Sequence, residues 1–135
     1  MFIVPKEMET KLYAYQLEQI TGGDEALVTV AIEAAIEETS SYLSRRYNVE
    51  KIFEAIGDKR NAHLLDIVKT IAVWKIIQLS NVDMLYDKVA KEYEQAINWL
   101  NRVSRGFVNP NLPKVDAENV AGFDIISDKK NDNNY

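Results

Sequence analysis

Apolar residues recur along this chain at helical spacing, and one stretch carries them on nearly every face. Residues 64–79 read LLDIVKTIAVWKIIQL. At about 100° per residue, Leu64, Val68, Ile71 and Leu79 form a central stripe. Leu65, Ala72 and Ile76 widen it on one side, and Ile67 and Trp74 on the other. Only Asp66, Lys69 and Thr70 gather into a polar strip. A helix apolar over most of its circumference belongs in a core with neighbours on several sides. Val68, Ile71 and Trp74 are therefore predicted to be buried. The stretch is too short and too charged to span a bilayer, which takes roughly 20 largely apolar residues. Lys75 interrupts the stripe, where a charge must be paired or reach out to water.

Three further helices are predicted around this one. Pro5 suits a first helical turn, and residues 6–19 follow it with Met8, Leu12 and Tyr15 on one face. Thr21-Gly22-Gly23 breaks the chain, and Asp24 is placed to cap a second helix over residues 25–47. Its stripe is Val28, Ile32, Ala35, Ile36, Thr39, Tyr42 and Leu43, with Glu33, Glu37, Ser40 and Ser44 on the wet side. Residues 48–60 connect, with a short helical turn around Ile52, Phe53 and Ile56, and Asn61 can cap the central helix. A last helix is predicted over 84–105, with Tyr86, Val89, Tyr93, Ile97, Leu100 and Val103 inward and Gly106 as its stop. Beyond it the two prolines of Asn109-Pro110-Asn111-Leu112-Pro113 keep the chain extended. Residues 120–126 are a candidate short strand that places Phe123 and Ile125 on one face, with Ile126 beside them. Residues 128–134 are polar throughout. The expectation is an all-α protein: a small antiparallel bundle of about four helices over residues 1–107, then an extended arm over 108–135.

Composition narrows the chemistry. A chain of 135 residues, 47% hydrophobic and 27% charged, suits one globular domain. The absence of cysteine excludes a disulfide scaffold, a thiolate metal site and a Cys nucleophile. A net charge of −5 argues against broad nucleic-acid binding, which usually needs a basic face. The single histidine, His63, stands three residues before Asp66, so the two could supply two metal ligands, but no second His is available to complete a site. A helix cap or surface position is the simpler role. Glu33, Glu37 and Glu38 could be read as an acid/base pair, yet Glu33 and Glu37 lie on the wet face. Gly22-Gly23 lacks the Lys-Ser/Thr and the preceding strand of a phosphate loop. No enzyme, cofactor or metal is expected.

Charges in unexpected places point instead to surfaces. Arg45, Arg46, Lys51, Lys59 and Arg60 cluster about the connector, to pair with the abundant Glu or with a partner's acidic patch. Arg46 falls within the apolar stripe of the second helix much as Lys75 does in the central one. Either they reach solvent or pair internally with Glu38, or their faces meet a neighbouring subunit.

Several strings, in order, resemble the phage Mu-like head–tail connector proteins. They are Leu17-Glu18-Gln19-Ile20-Thr21, Tyr42-Leu43-Ser44-Arg45-Arg46-Tyr47 and the linker 52–61 (IFEAIGDKRN), the last similar to a Bacteroidetes branch. The exit of the last helix follows, in residues 93–100 (YEQAINWL), Arg105-Gly106, residues 109–113 (NPNLP) and the ending SDKKNDNNY. The chain differs from the usual pattern at Glu33 and Glu37, commonly Asp, and at Trp74-Lys75, commonly Tyr-His. The resemblance implies a helical adaptor that joins portal to tail and completes the head. It implies a homo-oligomeric ring through which DNA passes without sequence-specific contact, with no membrane partner. Assembly would take place in the bacterial cytoplasm and end at the head–tail junction of the virion. A tail-completion or stopper protein of the same assembly, or a general cytoplasmic helical protein-binding module, are the other readings. Arg45, Arg46, Lys75, Phe123, Ile125 and Ile126 are the residues expected at interfaces, the last three by adding a strand to a partner.

Overall fold

The structure, a computed structural model, describes residues 1–80 and 86–116. Five α-helices are present among them: α1 (Ala14–Thr21), α2 (Glu25–Leu43), α3 (Val49–Glu54), α4 (Ala62–Ser80) and α5 (Tyr86–Ser104). Short 3₁₀ turns cover Pro5–Thr10 and Gly57–Lys59. No strand occurs among the described residues, so the class is all-α, as the periodicity predicts. The candidate strand at 120–126 and the polar ending lie outside the described residues.

Helix α4 is the centre. Asn61 caps it, its Oδ1 accepting from Leu64 N–H at 3.0 Å. Its buried residues point in all directions, from Leu64 through Val68 and Ile71 to Ile77. It packs most extensively on α2, then on α5, then on α1. Ring contacts give the directions: Trp74 stacks on Tyr93 and His63 meets Trp99 edge-on, so α4 and α5 are antiparallel. Glu38 meets Tyr93 and Arg46 meets Ser104, so α2 runs parallel to α5. Asp24 accepts from Ala26 and Leu27 N–H at the start of α2, and Val28, Ile32, Ala35, Thr39 and Leu43 are buried as the stripe requires. Trp74 departs from expectation in being only half-buried, at the α4–α5 seam against Tyr86 and Tyr93.

The predicted first helix is instead two pieces, because each has its own start. The Glu7 carboxylate accepts from Val4 N–H at 3.0 Å, and the Gln16 carboxamide from Tyr13 N–H at 3.1 Å. A Glu or Gln at the third helical position is a start signal, and here it occurs twice. The turn between them lets Lys11 pair with Asp66 at 2.7 Å and Thr10 accept from Lys69 Nζ at 3.1 Å. Two of the three residues of the polar strip of α4 are thereby covered, Lys69 and Thr70 being each only 8% exposed, while Asp66 stays exposed.

Helix α2 stops at Leu43, earlier than predicted. Tyr47 N–H returns to Leu43 C=O at 2.9 Å, and Asn48 then caps α3 through Lys51 N–H. Residues 46–48 are held by the exit segment: Asn48 N–H donates to Pro113 C=O at 2.8 Å and Val115 N–H to Arg46 C=O at 3.1 Å. Tyr47 and Lys114 form an isolated antiparallel bridge. Leu112 is buried and Asn61 Nδ2 donates to Asn111 C=O, so residues 111–115 run across the bundle end. Ile56, placed by the sequence in the same helical turn as Ile52, lies beyond the end of α3 and is 62% exposed.

Candidate interaction surface

Lys75 is paired, at the meeting of three helices. Its Nζ lies 2.6 Å from Glu38 Oε1, and Tyr93 Oη donates to Glu38 Oε2 at 2.5 Å. Burial pushes the Glu38 carboxyl up, but the hydrogen bonds from Lys75 and Tyr93 outweigh it and hold the group below its ordinary value. Burial and the same carboxylate push the Tyr93 phenol well up, so it stays a donor. The internal pair with Glu38, one of the readings open to Lys75, is present.

A second clasp ties down the N-terminus. Arg60 donates to both Glu7 oxygens, at 3.0 and 2.8 Å, and to Phe2 C=O at 2.7 Å. This bidentate contact lowers the Glu7 pKa against the opposing effect of burial, and the same bonding raises that of Arg60. Both carboxylates titrate below the ordinary 4.5 when folded. Their contribution to stability is thus complete above that value and lost as pH falls through the lower folded values. The urea midpoint is expected to drop steadily below about pH 5. Glu38→Gln should lower stability at neutral pH and flatten that acid limb. An acid limb of unchanged slope in the variant would show that Glu38 does not carry it.

The other candidate cations lie at the far end of the bundle. Arg45 and Arg46 follow α2, both exposed. Arg46 Nε donates to Ser104 C=O at 3.2 Å, placing a cation on the negative C-terminus of α5. That terminus closes with Phe107 N–H on Arg102 C=O at 2.9 Å and Gly106 N–H on Val103 C=O at 3.0 Å, a Schellman motif. Gly106 adopts φ +82°, and a Cβ there would lie 3.1 Å from the Arg46 guanidinium. Arg46 is therefore explained by the bundle end rather than by an internal pair. Around it stand Arg45, Arg105 and Lys114, all exposed, and Phe107, 72% exposed. Arg45, Arg105 and Lys114 make no ion pair among the described residues. Phe107 holds the position after the helix-stopping glycine where an apolar side chain commonly packs back on the last turn, and it is exposed instead.

Phe123, Ile125 and Ile126 lie outside the described residues. His63 packs edge-on to Trp99 at 4.7 Å and lines a groove of about 510 Å³ with Asp66, Glu92 and Arg102. Asp66 is already paired with Lys11. No group of three His, Cys, Asp or Glu able to hold a metal is found among the described residues. Nor is any helix among them long and apolar enough to cross a membrane.

No curated protein and no solved structure matches the chain. The family described as Bacteriophage Mu, Gp36 matches residues 2–124, nearly the whole length. That span takes in the clasped N-terminus, all five helices and the exit segment, so this all-α chain belongs to the Bacteriophage Mu Gp36 family of phage proteins.

Proposed function

We propose that the protein is a head–tail connector, an adaptor that binds the portal, assembles with copies of itself and completes the head for tail attachment. The observation that carries this reading is the family match over residues 2–124, joined to the ordered connector-like strings along the same span. The bundle suits an adaptor's task. Three helices are locked together by a shared charged clasp, and the exit segment is hydrogen-bonded to residues 46–48 as it leaves. A rigid body of this kind can present surfaces without rearranging its core. In this reading residues 117–135, with Phe123, Ile125 and Ile126, engage the partner by strand addition, and the work is done by surfaces rather than by a reaction centre. The location proposed is the virion head–tail junction, reached after assembly in the bacterial cytoplasm.

The test pairs the protein with its portal and images the mixture by electron microscopy, using the full chain and a chain ending at Asp116. That end point leaves the Val115 and Lys114 contacts with residues 46–47 in place. The shortened chain should keep its helical circular dichroism and melting temperature yet fail to decorate the portal. Equal decoration by both chains would remove the arm from the docking surface. A full chain that never joins the portal would overturn the connector reading.

A further inference from the structure

Charge in this fold is sorted in space. The basic end gathers Arg45, Arg46, Arg105 and Lys114 around the exposed Phe107. Glu50 and Asp116 are close in sequence, but the cations outnumber them. The long outer side of α2 is the opposite in character. Ala26, Val30, Glu33, Glu37, Ser41 and Ser44 are all exposed and follow one another every three or four residues. At about 100° per residue they fall in one narrow stripe, roughly 27 Å long at 1.5 Å per residue. Glu33 and Glu37 make no ion pair among the described residues. Ala26, Ser41 and Ser44 on the stripe are small, so the helix backbone can be approached closely there. Val30, 53% exposed, is an apolar contact on the stripe, as Phe107 is on the basic end.

We propose that the basic, Phe107-bearing end of one copy docks on the acidic outer stripe of α2 in a second copy. Three features favour this occupant. The two surfaces are complementary in sign, and each carries an exposed apolar residue, Phe107 on one and Val30 on the other. The stripe lies on a helix fixed by the core, and the basic end on turns and an exit segment that are hydrogen-bonded to one another, so neither has to be ordered on binding. A nucleic acid is the less fitting occupant, because the whole chain carries −5 and α2 would repel it. The contact joins two different patches, so each copy offers one of each and the association propagates from copy to copy. It supplies surfaces for the self-assembly in the connector reading, and rests on that reading only for where the assembly sits.

Sedimentation of the full chain without portal tests this apart from the connector reading. The wild type should show a mass that rises with concentration at about 0.01 M salt, where the Debye length is about 30 Å. That rise should vanish near 1 M, where it is about 3 Å. Arg45→Glu with Arg105→Glu, or Glu33→Arg with Glu37→Arg, should each give a monomer with unchanged melting temperature. Arg46 is left intact because it caps α5. Mixing the two reversed proteins restores the sign of the pairs made by the reversed residues, so the mixture should associate where neither does alone. Neutral Arg45→Gln with Arg105→Gln serves if either reversal unfolds, and should also give a monomer. The proposal is overturned by a wild type that stays monomeric up to about 1 mM at low salt. It is equally overturned by variants that associate like the wild type, or by a mixture that remains monomeric. None of these results bears on portal decoration.

Discussion

Ile71→Ala should lower the unfolding free energy by about 2–5 kcal/mol, read as a fall in the urea midpoint at unchanged slope. Ile71 is 0% exposed near the middle of α4, whose buried residues face α1, α2 and α5 at once. A cavity at such a site is walled by rigid helices on every side, so it collapses poorly and the cost rises above simple transfer. Leu79, on the same helix but 52% exposed, is the control. Leu79→Ala should change stability by less than about 0.5 kcal/mol. A loss well under about 1 kcal/mol for Ile71→Ala would mean that α4 is not the core.

The second large effect is expected at the very start of the chain. Phe2 is 2% exposed and sits edge-on to Phe53 at 4.8 Å, while its carbonyl accepts from Arg60. Phe2→Ala should cost about 3–5 kcal/mol through lost transfer energy and the cavity left under α3. Ile3, 0% exposed, adds to the same cluster, whereas Val4 is 43% exposed and Val4→Ala should be nearly silent. Thermal melts of the two variants decide it. Phe2→Ala melting with the wild type would place the N-terminal residues outside the cooperative unit.

The contrast between Ile71 and Phe2 marks what the sequence makes legible. Helices α2, α4 and α5 each run for 19 residues. Over that length apolar spacing repeats often enough to fix both the element and its inward face, and Asp24, Asn61 and Gly106 are in the capping positions read from the sequence. Residues 1–13 offer no such repetition. Phe2 and Ile3 are buried because Arg60, far along the chain, draws Glu7 and the Phe2 carbonyl inward. That pairing has no periodic trace. The burial of Lys69 has a related cause: its side of α4 faces Thr10, in a segment whose turn depends on the separate starts at Glu7 and Gln16. The charge anomalies at Lys75 and Arg46 were visible at once as breaks in a stripe. Which partner each takes depends on how helices line up, and only the assembled bundle fixes that: Glu38 for the first, the end of α5 for the second.

That alignment is itself held by the clasp of Glu38, Lys75 and Tyr93. The buried face of α2 is made of Val28, Ala31, Ile32, Ala35, Thr39 and Leu43, nearly all of them apolar and recurring at helical spacing. Such a face could slide by one turn, about 5.4 Å, and still find apolar neighbours. The slide would carry Glu38 away from both partners and leave an ammonium without its counter-charge in the seam, a steep penalty for a partly enclosed ion. The clasp therefore acts as a key that admits one register of α2 against α4 and α5. Lys75→Met with Glu38→Met could match the native stability while allowing several registers, so its signature would be broadened amide spectra rather than a lower melting temperature.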